Sequence, residues 1–125
     1  MKRGILLSVI LALFLACLWA ISTYAAGPRL MVASWYGIAH QGRTTASGMS
    51  FDRWGLTCAH KTLPLGTWLR VTDPRSHRWV MVRVTDRGPF IPGRDLDLSE
   101  QAARQLRIER QGVAWVEVAV IRGRA

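Results

Sequence analysis

Cysteine is nearly absent: the 125 residues contain two, Cys17 and Cys58. Cys17 lies in an apolar opening stretch, so a domain folded from the rest of the chain has Cys58 alone and closes no internal disulfide. Such a domain coheres by burial, which about 100 residues allow without a staple. Placed between Thr57 and Ala59, Cys58 reads as a small buried hydrophobe rather than a nucleophile. Acid is scarce too, with 8 Asp and Glu against 17 Lys and Arg and a formal charge of +9. Beyond Lys2, the only lysine is Lys61; every other basic residue is arginine. A surface this basic suits polyanions. His40, Cys58 and His60 make no recognised metal spacing, so neither a metal nor a cofactor is expected.

What is present at the start is hydrophobic. Met1 to Gly4 form a short positive segment, Ile5 to Ile21 are apolar apart from Ser8, and small residues follow. Residues 1–25 read as a secretory signal cut after Ala25, with residues 26–125 as the exported domain. The alternatives are an uncleaved membrane anchor and lipid attachment at Cys17. Each option places the domain in the periplasm or cell envelope. Nucleic acid is then no partner, and anionic envelope polymers or lipid head groups match the basic charge. A monomer is expected.

The segment Trp79–Phe90 organises the remainder. Val80, Val82 and Val84 alternate with Met81, Arg83 and Thr85, the period of a half-buried strand. Asp86 continues the register of the valines, and Gly88-Pro89 stops the strand. An acid at the rim of an apolar wall is a candidate reacting group, the alternative being a turn residue bonded to nearby backbone. Leu30–Tyr36, Trp68–Thr72 and Val113–Ile121 read as further strands, Ile38–Asp52 as a long functional loop, and Glu100–Arg107 as the one helix. Asp97 or Ser99 can cap that helix, and Asp97 reads more easily as a cap than as a second catalytic carboxylate. Trp68, Trp79 and Trp115 are expected to pack beneath the long loop or the helix. Five or six short strands with one helix indicate a small, mainly β barrel.

Five blocks then occur in order: Ala33-Ser34-Trp35-Tyr36-Gly37, Thr45-Ala46-Ser47-Gly48, Ala59-His60-Lys61-Thr62-Leu63-Pro64-Leu65-Gly66-Thr67, Val84-Thr85-Asp86-Arg87-Gly88-Pro89-Phe90 and Asp97-Leu98-Ser99. Together they resemble the RlpA (rare lipoprotein A) family of septal lytic transglycosylases, over roughly Met31 to Ile121. The resemblance implies a six-stranded double-psi β-barrel with one short helix. It also implies an endolytic activity on peptidoglycan glycan strands, preferably lacking stem peptides, that leaves 1,6-anhydro-muramic ends.

By motif, Asp86 matches the family's acid and His60 its histidine, which is expected to hydrogen-bond Asp86 or steady developing charge. One acid suffices for such a lyase, because the sugar's own C6 hydroxyl attacks and no water need be activated. Trp35, Tyr36, Thr45, Lys61, Arg87 and Gly88 are the expected substrate contacts. Met49 departs from the pattern, standing where relatives commonly carry a glutamate, and this implies reduced or absent activity. No SPOR module accompanies the blocks, so septal targeting is not expected. His40 is one place out of register with a family histidine and reads as a solvated loop residue, as does His77 in its turn. A non-catalytic, expansin-like wall-binding module is the second reading. A structural envelope protein using its basic face is the third.

Overall fold

The computed structural model describes residues 2–25 and 27–121, with side chains at 2–17 and 27–121. Ala26, beside the expected cleavage point, and residues 122–125 lie outside them. Helix α1 (Lys2–Ala25) is followed by strands β1 (Arg29–Tyr36), β2 (Thr57–His60), β3 (Trp68–Thr72), β4 (Trp79–Asp86) and β5 (Leu96–Ser99). Helix α2 (Glu100–Leu106) and strand β6 (Ala114–Ile121) complete the chain. Among the described residues no helix is long and apolar enough to cross a membrane.

The strands close into a barrel in the order β1-β5-β2-β4-β3-β6. β1/β5 and β2/β4 are parallel, and the other four pairs are antiparallel. Consecutive strands β1 and β2, and β2 and β3, are not neighbours in the barrel, and the segments joining them, residues 37–56 and 61–67, have little regular structure. The alternating apolar residues point inward: Val80, Val82, Val84, Leu69, Val71, Leu96, Leu98, Val116 and Val118 form one cluster. Ala102, Ala103 and Leu106 of α2 join it. Cys58 belongs to the same cluster at 0% exposure, and burial pushes its thiol up to about 12.

Helix α2 starts at Glu100, so its N-cap is Ser99, whose Oγ accepts from Ala102 N at 3.3 Å. Asp97 is therefore not the cap. It lies two residues earlier, inside β5, where its neighbours are Ser34 and Ala59. Ser99 Oγ also donates to Gly55 O at 2.6 Å and accepts from Thr57 N at 3.4 Å, tying the helix start to the chain entering β2. The helix ends at Arg107 in the left-handed region (φ 58). Ser99→Ala strands these buried partners and should cost about 1–3 kcal/mol, read as a lower urea midpoint with an unchanged m-value.

Candidate active site

The site follows from one irregularity in the β2/β4 ladder. Cys58 pairs with Val84, but the next residue, Ala59, pairs with Asp86, so Thr85 is the extra residue of a bulge. On its other side Ala59 pairs with Asp97, and Asp97 pairs in turn with Ser34. Asp86, Ala59, Asp97 and Ser34 thus form a row across β4, β2, β5 and β1. The acids stand two strand spacings apart, about 10 Å between backbones, with only a methyl group between them. Ala59, Asp86 and Asp97 line one cleft of about 670 Å³. The bulge changes the simple alternation expected from the valines: Thr85 is buried, and Asp86 takes the place beside Ala59.

Two backbone donors orient Asp86, Ala46 N and Arg87 N, each 2.9 Å from Oδ1. Ala46 belongs to the Thr45-Ala46-Ser47-Gly48 block, which is held both by its own turn and by β4. Thr45 Oγ1 donates to Met49 O at 2.7 Å, and Ser47 N donates to Thr85 O at 3.0 Å. The Arg87 guanidinium turns away from the carboxylate next door, its Nη1 donating to Leu63 O (2.7 Å) and His60 O (3.2 Å). Gly88 follows at φ 121, with the Phe90 ring 3.5 Å from where a Cβ would sit. A side chain here would be strained, and the turn that opens the cleft needs glycine.

Asp97 is half-buried, and Ser34 Oγ donates to its Oδ1 at 3.1 Å. Burial raises its carboxyl above the ordinary range. The Ser34 hydrogen bond, His40 and Arg94 oppose that rise, while the charge of Asp86 adds to it. Tyr36 lies in the same cleft with its ring against Phe51 (4.4 Å) and His40 (5.4 Å). Its hydroxyl is buried without a protein partner, and its pKa is raised by burial and then by Asp86 and Asp97. Trp35 is held by its Nε1, which donates to Glu109 O at 3.1 Å. Gly37 lets the chain turn there, since a Cβ would come 3.0 Å from the Trp35 ring and 3.1 Å from Glu100 Oε2.

Of the residues singled out in the sequence, Asp86, Trp35, Tyr36, Arg87 and Gly88 line this cleft, and Thr45, Lys61 and His60 do not. Among the described residues no hydrogen bond joins His60 to Asp86. His60 Nδ1 instead accepts from Thr62 N (3.1 Å) and Leu63 N (3.0 Å), as the organising acceptor of a turn. Burial, reinforced by Arg87, lowers its pKa. Asp97, His40, Phe90 and Arg94 reach the cleft from positions that sequence reasoning set aside or left unassigned. Met49 is exposed and lines a separate depression with Ser47, Leu65 and Arg83.

Residues 30–118 match the lytic transglycolase family. The chain belongs to this family. Among its curated relatives, the probable endolytic peptidoglycan transglycosylase RlpA of Synechocystis sp. is 48% identical over 90 residues, 72% of this chain and 28% of that protein. The endolytic peptidoglycan transglycosylase RlpA of Campylobacter jejuni is 47% identical over 90 residues, 72% of this chain and 33% of its own length. The chain thus spans about a third or less of these relatives. The apo expansin of Clavibacter michiganensis superposes with a TM-score of 0.62 at 27% identity, over 78% of this chain and 52% of the expansin. The Streptomyces papain inhibitor shares the fold (TM-score 0.61, 22% identity, 76% of this chain and 94% of that one). The RlpA assignment and the double-psi barrel expected from the ordered blocks agree with these matches.

Two pH effects follow. A carboxyl raised in the folded state lends stability in full below its unfolded value of about 3.9, and loses it as pH climbs through the folded value. Asp97→Asn should therefore raise the urea midpoint at pH 7, with the gap to wild type closing as the buffer approaches pH 4. His60 has the opposite sign: its depressed pKa gives stability that is complete above about 6.5 and drains as pH falls through the folded value. His60→Asn, whose Oδ1 can replace Nδ1 as acceptor, should abolish that acid limb without loss at pH 8. His60→Ala should be destabilised throughout.

Proposed function

We propose that this protein is an exported, endolytic peptidoglycan lytic transglycosylase, acting in the periplasm or cell envelope through the paired carboxylates Asp86 and Asp97. The row Asp86–Ala59–Asp97 across three neighbouring strands carries this reading. Membership of the lytic transglycolase family supports it. A glycan strand lies in the cleft, along the wall formed by Trp35, Tyr36 and the Gly88-Pro89-Phe90 turn. Trp35 and the 83%-exposed Phe90 provide apolar faces for sugar rings. In the N-terminal segment, a secretory signal, an anchor, or lipidation at Cys17 would each deliver the domain to that compartment.

The roles divide by environment. Burial keeps Asp97 protonated to higher pH, so it gives its proton to the departing glycosidic O4. Asp86, pinned through Oδ1, presents Oδ2 to the C6 hydroxyl of the muramic residue and takes that proton. The C1–O4 bond breaks, O6 bonds to C1, and the 1,6-anhydro ring closes without consuming water. The proton gained by Asp86 returns through solvent to Asp97 for the next cycle. This differs from a single-acid scheme with His60 as partner in that His60 Nδ1 accepts from its own turn and, among the described residues, no hydrogen bond joins His60 to Asp86.

Incubation with stem-peptide-free glycan should release fragments lighter by one water than hydrolysis products, seen by mass spectrometry. Asp86→Asn and Asp97→Asn should each lower the rate by ~10²–10⁴-fold. Full activity in Asp97→Asn would return the reaction to one acid. Ends carrying an added water would make the protein a hydrolase. The expansin likeness favours one other outcome: glycan that pellets the protein yet is never cut assigns a binding module.

A further inference from the structure

The barrel wall away from the cleft carries an unpartnered face. In the closed order β5 lies opposite β3, and β2 opposite β6, so the β3/β6 side faces away from the carboxylate row. Its outward residues are Trp68, Arg70 and Thr72 on β3, Trp79, Met81 and Arg83 on β4, and Trp115, Glu117 and Ile121 on β6, with Leu30 of β1 beside Glu117. The tryptophans are not packed beneath a loop or the helix. Trp68 is 42% exposed, Trp79 53% and Trp115 62%, with Leu30 at 61%. Where Trp79 meets α2, a groove of about 570 Å³ is lined by His77, Arg78, Arg104 and Arg107, with no acid among its lining residues.

Charge and packing select the partner. Arg70 stacks on Trp79 at 4.4 Å, and Arg83 lies 5.9 Å from the Trp68 ring. Stacked guanidinium groups occupy ring faces that a sugar would need, while their N–H edges stay free for phosphate. Among the described residues Arg70, Arg78, Arg83 and Arg107 enter no ion pair, and Glu117 is the only acid on the strand face. Exposed tryptophan and leucine between unpaired arginines match the boundary of an anionic bilayer, where indole sits at headgroup level. The chain offers a second apolar element: α1 ends four residues before β1, and its large side chains from Ile5 to Leu15 are each at least half exposed.

We infer that the β3/β6 face and its basic groove dock on the anionic phospholipid surface of a membrane, turning the carboxylate cleft away from the bilayer. The phosphates pair with Arg70, Arg78, Arg83 and Arg107, and Trp68, Trp79, Trp115 and Leu30 enter the headgroup layer. This holds whichever acid performs the chemistry, and even if the cleft only binds.

The test is hydroxyl-radical footprinting of the full chain in vesicles of phosphatidylcholine alone and in vesicles containing phosphatidylglycerol. Contacts that α1 makes with any lipid are common to both. Oxidation of Trp68, Trp79 and Trp115 should fall several-fold only with phosphatidylglycerol, with Phe90 at the cleft unchanged. Arg70→Gln with Arg107→Gln should remove the difference, and Glu117→Lys should enlarge it, at roughly five-fold in affinity per charge. Equal oxidation in the two vesicle types overturns the inference. So does equal protection by soluble polyphosphate without lipid, which would assign the face to an anionic polymer.

Discussion

The structure depends on a one-residue slip between β2 and β4. In an unbroken ladder Thr85 would lie beside Ala59, and the last acid of β4 would fall opposite His60. The extra residue re-aims the strand end, so that Asp86 joins a row already holding Asp97 and Ser34. A bulge in a parallel pair is uncommon and leaves a gap in the hydrogen bonding. Here Thr85 is the residue left over, buried with an unpartnered Oγ1. The irregularity falls where two carboxylates come together, as expected when local regularity yields to a site.

The loops serve that row more than they serve the core. Residues 42–51 close on themselves through Gly42 N to Phe51 O and Phe51 N to Arg43 O, and then deliver Ala46 N to Asp86. The β2–β3 connection is gripped from the other side by Arg87, whose two carbonyl partners span His60 to Leu63. Arg87 thereby converts a guanidinium that would have neutralised Asp86 into a brace for the segment carrying His60. On the third side Glu100 pairs with Arg104 (2.9 Å) and Arg53 (3.6 Å), holding the chain before β2 against the helix that follows β5. Each brace joins two segments distant in sequence, so the cleft's shape belongs to the closed barrel rather than to any one motif.

What could be read from the chain follows the same division. β4 is legible because Val80, Val82 and Val84 keep a period of two up to the bulge, and β3 and β6 show the same alternation. β2 and β5 have four residues each, too few for a period, and each pairs in parallel with a longer strand, β4 and β1, to set the carboxylate row. Asp86 was found as an acid ending an apolar strand. Asp97 was set aside because an Asp near a helix start usually caps it, and only the pairing with Ser34 and Ala59 removes that reading. His60 shows what a motif leaves out: the family position suggests a role, while the structural task of Nδ1, accepting from Thr62 N and Leu63 N, shows only in the folded turn. The tryptophans were placed inside on average behaviour, yet alternation against Leu69, Val71, Val116 and Val118 required them outside.

Met49 bears on the chemistry through its place rather than its identity. The resemblance expects a glutamate at this position, and the missing acid would matter most if it faced the reacting bond. Its side chain lines a depression shared with Arg83, Leu65 and Ser47, directly after the Thr45–Gly48 turn whose Ala46 N holds Asp86. Arg83 is the basic residue lining the same depression. Methionine in the glutamate's place leaves Arg83 unpaired for the neighbouring tryptophan face while Ala46 N still reaches Asp86. Methionine here thus keeps the backbone hold on Asp86 in place and leaves Arg83 among the unpaired cations of the basic side of the barrel.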